Sequence, residues 1–282
     1  MPASPFDFLT AQTSTAPAMR IPAFQLMLLG ALVATVAPGA RALPESEASA
    51  GRLIARRYAD TIVDIRGSVF LKVTMSFQAL PPREWKFDVS GTLIGASGLT
   101  ATSLSAIDAR AVFESMRSNL STSGQAIELV QTEFKNLRLL MGDGTEVPAK
   151  ILWKDPVHDL VLIVPDRAEE GNRSYPFVDL RKAAESVSLL GNYYQLSRTG
   201  AQFQYALLVR ESTVICIVER PERLLLTSTN ALPDALGCPV FDQEGRVLGI
   251  NLNKMEKDRS IGVVLFPAAD LAAVITKAFP NQ

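Results

Sequence analysis

The chain has 282 residues, of which 28 are basic and 29 acidic, and its formal net charge is −1. A balanced charge offers no electrostatic attraction to a polyanion, so we expect no nucleic-acid partner. The apolar fraction of 48%, with 17 glycines and 17 prolines, excludes extended disorder and fits one large all-β domain or two small ones.

The N-terminal region has the pattern of a secretion signal. Met19-Arg20 precedes an apolar stretch from Ile21 to Val36, and Ala40-Arg41-Ala42 fits the small-x-small rule of a signal peptidase site. We therefore predict an N-terminal extension and signal peptide over residues 1–42, the signal itself at about residues 19–42, and a periplasmic or secreted mature chain. The alternative is an uncleaved membrane anchor, although the apolar stretch is somewhat short to span a bilayer.

The first half of the remaining chain predicts one helix followed by strands. Glu45 to Ile65 has apolar residues at helical spacing, and helical spacing returns between Asp108 and Lys135, which predicts one or two inserted short helices. The runs between them are short, apolar or β-branched, and bounded by turn residues, as in strands. The predicted strands are Ser68–Phe77, Phe87–Ile94, Leu99–Ala101, Leu137–Leu140, Ala149–Trp153 and Leu160–Val164.

The second half predicts another strand series. The polar stretch from Asp166 to Ser174 is interpreted as a linker, so that residues 43–168 form a first barrel half and residues 169–282 a second. The predicted strands are Ser186–Leu190, Gln204–Val209, Thr213–Val218, Leu224–Thr227, Pro239–Phe241, Val247–Leu252 and Ile261–Leu265. Ala268 to Phe279 has one apolar face and predicts a closing helix. Many short strands with few helices indicate two all-β units, sandwiches or barrels.

Three blocks of sequence carry a family resemblance. SGTLIGASGLTATSLSAID (90–108) resembles the first-barrel block of chymotrypsin-like serine proteases of the HtrA (Deg) type, which leads into Thr-x-x-His-Val. DGTEVPAKILWKDPVHDLVLI (143–163) is similar to the strand pair of that family that ends in Asp-Pro-x-x-Asp-Leu-Ala-Val-Leu. TSTNALPDALGCPVFDQEGRVLGIN (227–251) resembles its Gly-Asn-Ser-Gly-Gly-Pro-Leu nucleophile loop and the following Gly-Ile-Asn strand.

The resemblance implies the trypsin-like fold, with two six-stranded antiparallel β-barrels, short helices and a C-terminal helix. It also assigns the positions of a degenerate catalytic triad. Ser105 stands at the position of the histidine, Asp159 at that of the aspartate and Leu236 at that of the nucleophile, while Asp234, Ala235 and Leu236 correspond to the loop that forms the oxyanion hole. Asp234 replaces a glycine there, and its negative charge would oppose an oxyanion.

Acyl transfer needs a nucleophile, a base that accepts its proton and a group that orients the base, and only the orienting group, Asp159, is present. Ser105 cannot act as a general base near neutral pH. The only histidine is His158. If its segment is a strand, His158 and Asp159 point to opposite faces, so we interpret His158 as a surface or structural residue.

The sequence does not decide whether the two cysteines are bonded to each other. Cys216 and Cys238 could form a disulfide in an oxidising compartment, or both could be buried free thiols. A catalytic role for Cys238 is disfavoured, because it lies two positions beyond the expected nucleophile and no base is available to it. We expect no cofactor, since one histidine and two scattered cysteines do not make a zinc site and no glycine-rich phosphate loop is present.

The sequence thus predicts an exported pseudoprotease that binds a protein or peptide, either in the cleft between the barrels or at a strand edge. A membrane contact is expected only if the N-terminal segment is uncleaved. HtrA-type enzymes usually carry a downstream PDZ domain, whereas this sequence ends at Gln282 just after the closing helix, so we expect a partner to bind the barrels directly. The alternative is an active trypsin-like endopeptidase, if the motif alignment is shifted or a partner completes the site.

Overall fold

The structure of the protein, a computed structural model, describes residues 45–75, 78–108, 113, 127–166, 173–184, 186–230, 232, 234–256 and 259–279. The predicted signal peptide lies outside these residues, as does most of the segment expected to hold inserted helices.

The first half of the described chain forms a seven-stranded antiparallel sheet. Its strands are β1 (Ile62–Met75), β2 (Gln78–Ala79), β3 (Arg83–Leu93), β4 (Thr100–Ser103), β5 (Ile127–Leu140), β6 (Glu146–Asp155) and β7 (Leu160–Pro165). They lie in the order β2-β1-β3-β4-β7-β6-β5. The long strand β1 also pairs with β5, so the pairings return to their starting strand and only the two-residue β2 stands outside this circuit.

The second half forms a closed six-stranded barrel. Its strands are β8 (Asn192–Arg198), β9 (Leu207–Val218), β10 (Leu224–Thr227), β11 (Pro239–Phe241), β12 (Val247–Glu256) and β13 (Arg259–Pro267). They follow the order β10-β13-β12-β11-β8-β9. The predicted all-β, trypsin-like fold class is confirmed: the second half is a closed six-stranded barrel, and the first half is a sheet in which six strands pair in a circuit.

The two terminal helices of the described chain pack on the sheets. Helix α1 (Glu45–Tyr58) reaches the barrel, where the Tyr58 hydroxyl donates to the carbonyl of Gly245 (2.8 Å) and its ring stacks on Phe241. Helix α3 (Ala268–Ala278) ends beside the first sheet, with Phe279 against Trp153. Helix α2 (Leu104–Ile107) is a single turn after β4. Within the described ranges, none of the helices is long and apolar enough to cross a membrane.

One hydrophobic cluster joins the two sheets. It contains buried residues of the first sheet, such as Leu160 and Leu162, together with Leu196, Phe241 and Phe266 of the barrel. Each sheet also has a separate core of its own. Because the shared cluster removes apolar surface of both sheets from water, it fixes the ends of β4, β7 and β12 against one another.

Several predicted boundaries are wrong. The helix predicted to run to Ile65 ends at Tyr58, because β1 begins at Ile62 and its first four residues are all buried in the sheet. Residues 127–135 belong to strand β5 rather than to an inserted helix. The predicted strand Ser186–Leu190 is wrong, because Leu190 lies in a turn with φ +62°. The strand in this region is β8, which the sequence did not predict because its polar residues are buried on both faces.

Candidate functional site

Asp159 ends the turn that connects β6 to β7. Its backbone has a left-handed conformation with φ +56°, uncommon for a residue other than glycine, and only 2% of its surface is exposed. The carbonyl of Asp159 accepts a hydrogen bond from the N–H of Leu104 (2.8 Å), the first residue of α2. This hydrogen bond therefore joins the turn that holds the buried carboxylate to the first residue of α2.

The Asp159 carboxylate is surrounded by hydrogen-bond donors. The N–H of Ser105 donates to Oδ1 (2.7 Å), and Oδ2 accepts from the N–H of Asn253 (2.9 Å), from Ser105 Oγ (3.2 Å) and, at very short range, from Ser103 Oγ. Burial raises the pKa of Asp159, and these donors act in the opposite direction because they stabilise the ionised form.

Asn253 links the barrel to this carboxylate and was not identified from the sequence. Besides its N–H, its side-chain Nδ2 donates to Ser105 Oγ (3.0 Å), and its Oδ1 accepts from Ser260 Oγ (2.6 Å). A signal was available: Asn253 follows Asn251 of the Gly-Ile-Asn segment by two residues, so strand alternation directs both side chains to one face.

Leu236 lies in the turn before β11, and this turn packs against β3 and β4. At Gly237, φ is +75° and an added Cβ would lie 2.1 Å from the carbonyl oxygen of Ser90, so only glycine fits. The carbonyl of Gly237 accepts from Thr92 Oγ1 (2.7 Å), and its N–H donates to the carbonyl of Asn251 (2.8 Å). The structure thus joins Ser105 and Asp159 directly, whereas the hydrocarbon side chain of half-buried Leu236 cannot enter their hydrogen-bond network.

The segment at the oxyanion-loop positions is held by an ion pair. The Asp234 carboxylate accepts from Arg210 Nη1 (2.7 Å) and from Ser197 Oγ (3.2 Å). The N–H of Ala235 donates to the carbonyl of Leu232 (3.1 Å), so this amide serves the turn itself. The negative charge expected to oppose an oxyanion is present, and Arg210 compensates it.

His158 lies in the turn from residue 156 to 159, not in a strand. Its Nδ1 is 2.5 Å from Asp155 Oδ2, its Nε2 is 3.8 Å from Glu222 Oε2, and its ring lies beside Phe266. These partners are separate from the donors to Asp159. The only imidazole of the chain is therefore engaged by another aspartate.

The two cysteines are free thiols, so the disulfide that the sequence left open is not formed. Cys216 lies in β9 and Cys238 directly before β11, and β8 separates these strands in the barrel. Cys238 is buried, with Sγ 3.2 Å from the carbonyl oxygen of Asp234. Among the described residues, no three His, Cys, Asp or Glu side chains are grouped so that they could hold a metal ion.

Comparisons with known proteins agree with this architecture. Three solved structures, each 14% identical in sequence, have the same fold. Deg5 aligns with 83% of this chain and 96% of its own chain, with a TM-score of 0.53. The serine endoprotease from Yersinia pestis aligns with 82% of this chain and 67% of its own (TM-score 0.51), and a variant of the HtrA-type protease AlgW with a tripeptide aligns with 82% of this chain and 64% of its own (TM-score 0.50). No curated protein sequence matches the chain.

The family model described as trypsin-like peptidase domain matches residues 89–250, which is more than half of the chain. This range includes the three motif blocks almost completely, as well as Ser105, Asp159 and Leu236. The resemblance found in the sequence is confirmed, and the chain belongs to the trypsin-like peptidase domain family.

Proposed function

We propose that this protein is a proteolytically inactive member of its family, exported from the cytoplasm, that binds an extended peptide or protein segment. The observation that carries the proposal is the surroundings of Asp159. Its carboxylate accepts hydrogen bonds from Ser103, Ser105 and Asn253, and none of these donors is a base able to activate a nucleophile.

Two further residues, Leu236 and His158, and the use of the Ser105 hydroxyl also support inactivity. Leu236 has no group that could attack a carbonyl carbon, and the Ser105 hydroxyl bridges Asp159 and Asn253 instead of accepting a proton. His158 pairs with Asp155, so it is not oriented by Asp159. The former centre is thus a hydrogen-bonded junction between the first sheet and the barrel.

Strand β12 supplies an edge for recognition. Its register with β11 covers only Val247 to Ile250, whereas its pairing with β13 continues to Glu256. The N–H of Asn253 points away from β13, toward Asp159. Backbone N–H groups alternate along an antiparallel strand, so we expect the N–H and carbonyl of Met255, which follows a register shift between β12 and β13, to face the same side as the Asn253 N–H; an extended peptide would pair with them there, beyond Asp159.

Inactivity is tested with a fluorophosphonate probe and with casein turnover, using an active trypsin-fold protease as the positive control. We expect no labelling and no turnover with the purified chain. Labelling of a serine in the wild type would overturn the proposal. The double variant Ser105→His with Leu236→Ser tests the assignment of the site, because labelling of the introduced serine in that variant alone would place both positions beside Asp159 in solution.

Recognition at β12 is tested by selecting extended peptides that bind the purified chain and measuring their affinity for two variants. Met255→Pro removes the backbone donor, and we expect binding to weaken by about tenfold or more, as for a lost buried hydrogen bond. The matched control Met255→Ala shortens the same side chain but keeps the N–H, and its affinity should stay within about threefold of wild type. Equal losses in both variants would argue against strand addition.

A further inference from the structure

A cavity lies away from Asp159, beside the turn that joins β5 to β6. Its volume is about 180 Å³. It is lined by Arg66, Leu140, Met141, Gly142, Arg198 and Tyr205, among others. This volume is small compared with the sites that hold drug-sized ligands, and it suits a single amino-acid residue.

Arg198 is the unusual residue of this cavity. It is only 8% exposed, and its guanidinium donates to three backbone carbonyls: Nε to Ile62 (2.7 Å), Nη2 to Ala59 (2.8 Å) and Nη1 to Tyr205 (2.9 Å). In the part of the chain that the structure describes, no carboxylate lies within ion-pair distance of Arg198. A buried charge that meets only neutral acceptors is costly, and a bound anion would compensate it.

The acidic side chains nearby do not form an ion pair with Arg198. Glu146 (3.0 Å) and Asp88 (3.5 Å) pair with the other arginine, Arg66. Burial lowers the pKa of Arg198, whereas Asp64 and Asp60, which lie beyond ion-pair distance of it, still act to raise that pKa. An added Cβ at Gly142 would lie 2.4 Å from Arg198 Nη2 and 3.1 Å from Asp60 Oδ1. The Oδ2 atom of Asp64 is buried and has no hydrogen-bond partner. Burial raises the pKa of Asp64 to about 7, so this carboxyl is partly protonated at neutral pH.

The remaining walls combine apolar surface with a strained turn. The Arg66 guanidinium stacks over the Tyr205 ring at 4.2 Å, and buried Leu140 and Met141 contribute apolar surface. Gln204 and Tyr205 are consecutive residues with φ +57° and +55°. Such strain persists only where the surroundings enforce it, and it is concentrated at functional sites.

We propose that this cavity binds the C-terminal residue of a peptide or protein, with its carboxylate at Arg198 and its apolar side chain beside Leu140 and Tyr205. A buried cation without an ion-pair partner matches a carboxylate, and the apolar walls favour a carboxylate that carries a hydrocarbon group over a bare inorganic anion. The site is separate from β12 and does not depend on the inactivity of the Asp159 centre.

The test uses the smallest probe with these features, N-acetyl-leucine, compared with N-acetyl-leucinamide by calorimetry or ligand-observed NMR on the purified chain. We expect the free acid to bind at least about tenfold more tightly, because a charge-assisted hydrogen bond is lost in the amide. Inorganic phosphate serves as a competitor. Equal affinity for acid and amide, or displacement of N-acetyl-leucine by phosphate at equal concentration, would overturn the proposal.

Variants locate the site. Arg198→Gln should abolish the preference for the acid. Because Arg198 also holds three carbonyls, Gly142→Ala provides a second test: Gly142 has no left-handed backbone, and its new methyl would lie 2.4 Å from Arg198 Nη2 and 3.1 Å from Asp60 Oδ1, so it displaces the edge of the guanidinium. We expect about tenfold weaker binding in Gly142→Ala. The matched control Arg173→Gln changes an arginine of the neighbouring cavity and should leave the affinity unchanged. Unchanged binding in Gly142→Ala, or an equal loss in Arg173→Gln, would contradict this location.

Discussion

Two buried aspartates of this protein have opposite surroundings. Asp159, 2% exposed, accepts hydrogen bonds from Ser103, Ser105 and Asn253, so both of its oxygens are satisfied. Asp64, 4% exposed, has a buried Oδ2 without a partner, and its neighbours include another carboxylate, Asp88. Burial raises the pKa of both groups.

The difference indicates where each carboxylate contributes to the protein. Through its hydrogen bonds to Ser103, Ser105 and Asn253, Asp159 joins β4, α2 and β12. The buried Oδ2 of Asp64 has no hydrogen bond that would compensate for its loss of water, and the carboxyl lies near the guanidinium of Arg198. Unpaired buried groups are found where a ligand, a proton or water completes the site. The hydrogen-bond network around Asp159 is therefore complete within the protein, whereas the region of Asp64 and Arg198, where we propose a ligand site, contains an unsatisfied buried oxygen.

The largest expected effect comes from removing Asp159. Asp159→Ala leaves the buried donors of Ser103, Ser105 and Asn253 without their acceptor, and we expect the free energy of unfolding to fall by about 3 to 4 kcal/mol. Urea denaturation followed by circular dichroism measures this loss. The control is Asp159→Asn, which keeps one acceptor oxygen and should lose less than half as much. A loss below about 1 kcal/mol in Asp159→Ala would show that the network contributes little.

The second effect is a dependence of stability on pH that originates at Asp64. Its pKa is about 7 in the folded protein and 3.8 for an aspartate side chain free in water, so the folded state binds the extra proton between these values. Stability should therefore rise on acidification from pH 8 to pH 5, by about 2 to 3 kcal/mol from this group. Asp159 has the same sign, because its pKa is also raised by burial.

Asp64→Asn isolates this contribution. The variant cannot titrate, so its unfolding free energy should change less between pH 8 and pH 5 than that of the wild type, and the difference between the two profiles belongs to Asp64. Hydrogen bonds lower the pKa values of Asp143 and Asp179, so the stability that these two groups contribute is lost only at more acidic pH. They do not affect the change between pH 8 and pH 5. Parallel profiles for both proteins would refute the assignment.

A smaller effect is expected at Ser105. Ser105→Ala removes the hydroxyl that donates to Asp159 and accepts from Asn253 Nδ2, but it keeps the backbone N–H that donates to Asp159. We expect a loss of about 1 kcal/mol in unfolding free energy. If Ser105→Ala were as destabilising as Asp159→Ala, the side chain of Ser105 rather than the carboxylate would be the centre of the network.

Much of the fold was predictable because its signals are local. Strands such as β7 and β11 are short apolar runs between turn residues, and the closing helix has a clear apolar face. The boundaries that failed depend on tertiary burial. Strand β8 is rich in polar residues, yet it is buried because both of its faces meet protein, which no periodicity reveals.

The site was predictable only in part. The motif spacing identified Asp159 and Ser105, and the structure joins them. Asn253 and Arg198 were missed, because their importance arises from contacts between residues far apart in the chain. The N–H of Asn253 meets a residue 94 positions earlier, and Arg198 Nη2 meets one 139 positions earlier. For Asn253, the two-residue spacing from Asn251 indicates only a shared strand face, and for Arg198 no local pattern tells a buried position from a solvated one.

The smallest expected effect is a difference in reactivity between the thiols of Cys238 and Cys216, which reports whether water reaches the region around Asp64. Cys238 is buried, close enough for Asp64 to influence it, and burial raises the pKa of its thiol. Since the thiolate is the reactive form, Cys238 should resist a disulfide reagent in the native state, whereas half-exposed Cys216 reacts. The native chain should thus titrate one thiol and the denatured chain both, with Cys216→Ser as the control that leaves none reactive in the native state. Rapid reaction of Cys238 would mean that water reaches this part of the interior. The same water would hydrate Asp64 and lower its pKa, so the contrast between a satisfied Asp159 and an unsatisfied Asp64 would no longer hold.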